Sequence, residues 1–181
     1  DSTLRTTNRG VWAAGDVTGG LQFTHVADYM AKKALRNALL PLSTHVDYSL
    51  VPWVTYTDPE VAHVGLSADE ASARGAKTYT YDFHDLDRAI TDAQTLGFVK
   101  ISADSKGRIL GATILGHGAG ELLQPIVLAI THGLPLSKIA DTIFPYPTMA
   151  EGVKQAANAY QRTRLEGPAG RVLKKVVSWL A

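Results

Sequence analysis

The sequence predicts an α+β fold, an antiparallel sheet with helices on one face, preceded by a strand-turn-helix of different character. Three observations point there. Between Val51 and Leu115 short β-rich segments recur between turn residues. Beyond Gly118 the apolar residues change to helical spacing. Residues 1–42 instead hold one short apolar run followed by one long helical stretch. Strands first and helices after, with antiparallel returns, is how α+β domains are arranged.

Taken in order, Val11-Trp12-Ala13-Ala14 is apolar without alternation, the pattern of a parallel strand covered on both faces. Gly15 lets the backbone turn tightly, which puts Asp16 at the carboxyl end of the strand, where open α/β sheets bind ligands. Alone, the Gly-Asp pair is better read as an ordinary strand-turn-helix with a capping aspartate. After Gly19-Gly20, His25 to Leu40 reads as a helix whose first N–H groups aim at the same ligand, and Pro41 ends it. Residues 43–50, polar and turn-rich, read as a link.

Trp53 to Thr57 and Val61 to Leu66 read as strands about the Asp58-Pro59 turn. Ser67-Ala-Asp-Glu70 resembles a capping box opening a short helix that stops at Gly75. Lys77 to Phe83 alternates as a strand, and Asp104-Ser-Lys-Gly107 is a hairpin signal between Phe98–Ala103 and Arg108–Leu115. Gly116-His-Gly118-Ala-Gly120 reads as a strand-to-helix turn. Leu122, Leu123, Ile126, Val127 and Ile130 then share one helical face, with Pro125 in an early turn or bending the helix. A second helix runs from Thr148 to Tyr160, after Pro145 and Pro147.

With 18 Lys and Arg against 17 Asp and Glu, and no basic stretch interleaved with aromatics, nothing suggests a nucleic-acid partner. The absence of cysteine excludes a disulfide scaffold or a cysteine metal site, and the six scattered histidines form no H-x-x-x-H pair, so no metal site is expected. No apolar run reaches 18 residues and no signal-like start occurs, so a cytoplasmic location is the expectation.

Several of these segments, in this order, resemble the class I pyridine nucleotide-disulfide oxidoreductases, the flavoprotein disulfide reductases that include dihydrolipoamide dehydrogenase, glutathione reductase and mercuric reductase. The segments are Thr7-x-x-x-Val-Trp-Ala-x-Gly-Asp16 with Thr24-His25-Val-Ala27, and Pro52 to Ser67. They continue with Asp87-Arg88-Ala89, Gly97-Phe-Val-Lys-Ile101, Gly111 to Leu123 and Phe144-Pro-Tyr-Pro-Thr148-Met-Ala-Glu151. Motifs in sequence are more specific together than singly.

The resemblance implies an FAD cofactor. Gly15 and Asp16 would meet its ribityl chain, and the backbone from His25 to Ala27 its isoalloxazine ring. It also implies that residues 1–42 are the end of a Rossmann-like FAD-binding domain and 51–160 a dimerisation domain, so that the partner is a second copy in a homodimer. No G-x-G-x-x-G occurs and no initiator Met is present. The chain is therefore expected to be the C-terminal part of a longer polypeptide, with the NAD(P)H-binding domain and the cysteine pair elsewhere in it.

In members acting on disulfides, a histidine precedes Pro-Thr-x-x-Glu and works with the glutamate as an acid/base pair. Here that position is Tyr146, and the glutamate is Glu151. A thiol of pKa about 8.5 is matched by an imidazole near about 6.5 but not by a phenol near about 10. Mercuric reductases also carry Phe-Pro-Tyr there, with the tyrosine near the substrate ion, where a phenol serves as an oxygen donor or a hydrogen-bond donor without exchanging a proton each turnover. Those reductases end in a cysteine pair, whereas this chain ends in Ser178-Trp-Leu-Ala181.

The tail, 161–181, departs from the family. On a helical wheel over 169–180 its apolar residues Val172, Leu173, Val176, Val177, Trp179 and Leu180 oppose Arg171, Lys174 and Lys175. Docking of this helix on its own dimer is favoured over peripheral contact with an anionic membrane surface. The expected function is thus the dimerisation portion of an FAD-dependent oxidoreductase of mercuric-reductase type. The alternatives are an inert self-association module, or a reductase of dihydrolipoamide-dehydrogenase type with another substrate.

Overall fold

The computed structural model describes residues 1–167 and residue 170, and the amphipathic stretch of 169–180 lies outside them but for Gly170. The chain divides into two compact units, Asp1–Val51 and Pro52–Ala181.

The first unit is built on one helix, α1 (Thr24–Leu39), which buries Val26 and Met30 with Leu4 in a small core. The apolar run before it is not the doubly covered strand its composition predicts. Val11–Ala14 makes a single antiparallel bridge, Arg5 to Trp12, and Val11 is 45 % exposed. A parallel strand needs parallel neighbours, and within this unit the backbone of Val11 and Ala13 bonds to Leu4, Thr6 and Asn8. Residues 43–50, read as a link, are in part tied down. Buried Asn37 donates through Nδ2 to the carbonyls of Thr3 and Thr44, at 2.9 and 2.7 Å, and its Oδ1 accepts from the Thr44 amide at 2.7 Å. The Val46 amide also donates to Ser2 O at 2.9 Å.

The second unit is a five-stranded antiparallel sheet. Its strands are β1 (Trp53–Thr55), β2 (Glu60–Gly65), β3 (Lys77–Asp82), β4 (Phe98–Ala103) and β5 (Ile109–Gly116), in the order β1-β2-β5-β4-β3. The period of two places Ala62, Val64, Val99, Ile101, Ala112 and Ile114 on one face. There they join Leu122, Leu123 and Ile126 of α4 (Ala119–Thr131), Leu136 and Ile139 of α5 (Leu136–Asp141), and Val153, Ala156 and Ala157 of α6 (Glu151–Glu166) in one core. Two shorter helices, α2 (Ala68–Ala73) and α3 (Asp87–Thr91), lie in the connections on either side of β3.

Local signals hold where they are strong. Ser67 Oγ accepts from the Glu70 amide at 3.3 Å and Glu70 Oε2 accepts from the Ser67 amide at 2.8 Å, the reciprocal capping box read from the sequence. Pro125 lies in the second turn of α4, where it removes one amide from the helix ladder. Among the described residues no helix is long and apolar enough to cross a membrane.

Candidate functional site

In the first unit the chain passes from Gly15 into a single 3-10 turn, Asp16–Thr18, before reaching α1. Gly15 has φ 80° and ψ −158°, a conformation open to glycine, and a Cβ there would stand 3.2 Å from Cβ of Ala27. Two of the residues singled out from the sequence are thereby brought into contact, with the turn lying against the first turn of α1. Asp16 is exposed, and its carboxylate takes no hydrogen bond or ion pair from the described residues. His25 is exposed as well, with its ring stacked on Phe23 at 5.2 Å. The Ala27 amide already donates to Phe23 O at 3.0 Å, so that donor is used within the helix.

In the second unit the approach to α6 carries Tyr146 and Glu151. The segment is shaped by Pro145 and Pro147, with the Tyr146-Pro147 bond cis, and Thr148 Oγ1 donates back to Pro145 O at 2.8 Å. Tyr146 is 69 % exposed. Its hydroxyl donates to Oδ2 of Asp87 at 2.9 Å. That hydrogen bond, the charge of Asp87 and the charge of Glu151 all raise its pKa above the ordinary phenol value. Glu151 opens α6 half-buried and accepts from Gln155 Nε2 at 3.5 Å. The sequence singles out Tyr146 and Glu151, the latter without the histidine it would orient; the phenol's hydrogen bond goes to Asp87.

Asp87 was missed as part of this group. It belongs to a family motif, but that motif lies 59 positions from Tyr146 and nothing local signals the pairing. It is held at the start of α3 because the preceding turn is anchored by Phe83 and Leu86, both fully buried. Beside it, Tyr81 donates to the carbonyl of Asp85 at 2.7 Å, and burial, then Asp85, Glu151 and Asp87, push its pKa up. Chemically the group presents a neutral phenol among carboxylates. Among the described residues no group of three or more His, Asp or Glu is placed to hold a metal ion.

Residues 51–157 match the dimerisation domain of the pyridine nucleotide-disulphide oxidoreductases. The chain belongs to that family. Among its pyridine nucleotide-disulphide oxidoreductase relatives, a mercuric reductase from Bacillus cereus is 38 % identical over 165 residues, 90 % of this chain and 26 % of the relative. A dihydrolipoyl dehydrogenase from Chlamydia muridarum is 38 % identical over 174 residues, 94 % of this chain and 37 % of the relative. The chain thus spans between 26 % and 37 % of these two curated relatives. In structure it resembles LpdA from Mycobacterium tuberculosis, with a TM-score of 0.81 and 30 % identity over 87 % of this chain and 35 % of the other. The HOCl-induced flavoprotein disulfide reductase RclA from Escherichia coli gives 0.81 and 31 %, over 87 % of this chain and 37 % of the other. RclA has also been solved as a Cu(II) complex.

Proposed function

We propose that the chain is the dimerising portion of an FAD-dependent NAD(P)H oxidoreductase of mercuric-reductase type, reducing Hg(II) or another small electrophile. The single observation that carries this reading is Tyr146, an exposed phenol at the position where disulfide-reducing members carry a histidine. Asp87 and Glu151 raise its pKa, which moves it still further from the range useful for proton exchange with a thiol at neutral pH. The site therefore suits a substrate that meets a neutral oxygen rather than one that needs a general base. The 38 % identity to a mercuric reductase supports the same direction.

The residues of the first unit fit FAD. Asp16 is an exposed carboxylate with no described partner, and Gly15 approaches Ala27 so closely that a side chain there would crowd it. Asp16 would hold a hydroxyl of the ribityl chain, and the His25–Ala27 backbone would lie against the ring system. FAD, when bound, supplies the two-electron relay between NAD(P)H and the substrate side. The roles left to this chain are to orient the cofactor through Asp16, to present Tyr146 and Glu151 at the substrate side of a second copy, and to hold the two copies together. The cysteine pair lies outside these 181 residues, which contain none.

The test is Tyr146→Phe in the complete reductase. Mercuric-ion turnover should fall about tenfold, equivalent to about 1.4 kcal/mol of lost stabilisation, while reduction of the flavin by NAD(P)H is unchanged. Stopped-flow measurement of the two half-reactions separates them. Equal slowing of both, or of neither, removes the reading.

A further inference from the structure

A tyrosine hydroxyl has one proton to give and lone pairs to offer. In Tyr146 the proton is committed. Oη donates to Asp87 Oδ2 at 2.9 Å, and no described donor reaches Oη in return. With the side chain 69 % exposed, its remaining hydrogen-bonding capacity faces solvent as an acceptor.

The neighbours leave Asp87 to this one task. Arg88, the adjacent cation, turns its guanidinium to Asp92, and the Tyr81 hydroxyl is held by the carbonyl of Asp85. Both halves of the pair stand on fixed supports. Asp87 begins α3 directly after buried Leu86, and Tyr146 precedes α6, whose first turn includes fully buried Val153.

We propose that Asp87 is a positioning residue for Tyr146: by accepting the single phenolic proton it turns the oxygen lone pairs outward, so that Tyr146 meets its substrate as an electron-pair donor and not as a hydrogen-bond donor. The proposal rests on the reading of Tyr146 as a substrate-facing group, and decides between the two roles a phenol can play there. It also sets a substrate class. Electron-poor, positively charged species are favoured, since Asp87 and Glu151 add negative charge beside the oxygen. Substrates that present only an acceptor, such as an anionic oxygen, find no donor at this position. The hydrogen bond to Asp87, then the charge of Asp87 and of Glu151, raise the phenol's pKa, so the oxygen keeps its proton near neutral pH.

Two measurements test it. The first uses the full chain and needs no turnover. The tyrosine doublet in ultraviolet resonance Raman spectra reports whether a phenol donates or accepts, and subtracting the Tyr146→Phe spectrum isolates Tyr146 from the other tyrosines. Tyr146 should read as a strong donor, should lose that character in Asp87→Ala, and should regain it in Asp87→Asn, whose amide oxygen still accepts. An unchanged doublet in Asp87→Ala overturns the proposal, with circular dichroism confirming that the variant is folded.

The second is a double-mutant cycle on mercuric-ion reduction in the complete reductase. Because Asp87 acts through Tyr146, the double variant Asp87→Ala/Tyr146→Phe should be no slower than Tyr146→Phe alone, and Asp87→Asn should retain most of the parent rate. Independent, multiplying losses overturn the proposal and make Asp87 a structural residue. If Tyr146→Phe is itself as fast as the parent, the substrate-facing reading of Tyr146 is what fails, and the Raman doublet alone decides whether Asp87 holds the phenol.

Discussion

Phe83 is seated where three glycines leave room for a ring. A Cβ at Gly116 would lie 2.3 Å from its Cε2, one at Gly97 2.7 Å from its Cδ2, and one at Gly152 3.2 Å from its Cε1. The ring is fully buried, and its own backbone turn leads through Leu86 to Asp87. The position of a candidate site residue therefore depends on side chains that are absent elsewhere in the sequence. Gly116 also has φ 145°, which side chains rarely adopt. Gly116→Ala should thus lower stability by roughly 3 kcal/mol, combining backbone strain with an overpacked core. A urea unfolding midpoint equal to that of the parent would show that the ring can move aside at little cost.

At the scale of elements, α4 shows how a helix start can be completed from far away. Its N-cap is Gly118 in the left-handed region, which offers no side chain, and the amide of Gly120 instead donates to Oε2 of Glu60 at 3.1 Å. The carboxylate also faces the positive end of the helix. Glu60→Ala should cost about 1–2 kcal/mol, as loss of a good cap does, and Glu60→Gln less, since an acceptor oxygen remains. Thermal unfolding of the two variants checks the order.

The same helix start marks the boundary of what the sequence discloses. The capping box of α2 was legible because Ser67 and Glu70 are three positions apart. The cap of α4 was not, because its two halves are 60 positions apart. The hairpin about Asp104 was legible for the same local reason, with Asp104 Oδ1 accepting from the amides of Lys106 and Arg108 at 2.9 Å each. Helices α3 and α5, of five and six residues, are too short to show a helical period and were not foreseen. Tyr146 was found through a family motif, while its partner Asp87 is visible only once the chain has folded. Val11–Ala14 misled because an apolar run states that a segment is to be covered without stating by what.

For the whole molecule, the second unit leaves Leu128, Leu134 and Ile143 exposed about the end of α4 and the segment after α5. Leu128, Leu134 and Phe144 line one shallow depression there. Apolar groups brought together at a surface in this way suit a self-complementary contact. The proposed homodimer would use this face, and light scattering at micromolar concentration should give twice the chain mass. Leu128→Asp should shift the protein to the monomer without unfolding it. A variant that stays dimeric would place the contact elsewhere.

The strand order has a consequence for how this unit comes into being. Of the five strands of this sheet β5 is made last, and it lies at the middle, between β2 and β4. A ribosome that has released residues up to about Ala103 has produced β1 beside β2 and β3 beside β4, two ribbons with no strand to join them. Each then presents a bare edge of N–H and C=O groups, the kind of surface that pairs with other chains. Only with β5, which pairs along β2 from Gly111 to Gly116 and along β4 from Ile109 to Leu115, do both edges close at once. The nascent chain is therefore most exposed to mispairing over the interval between synthesis of β4 and synthesis of β5.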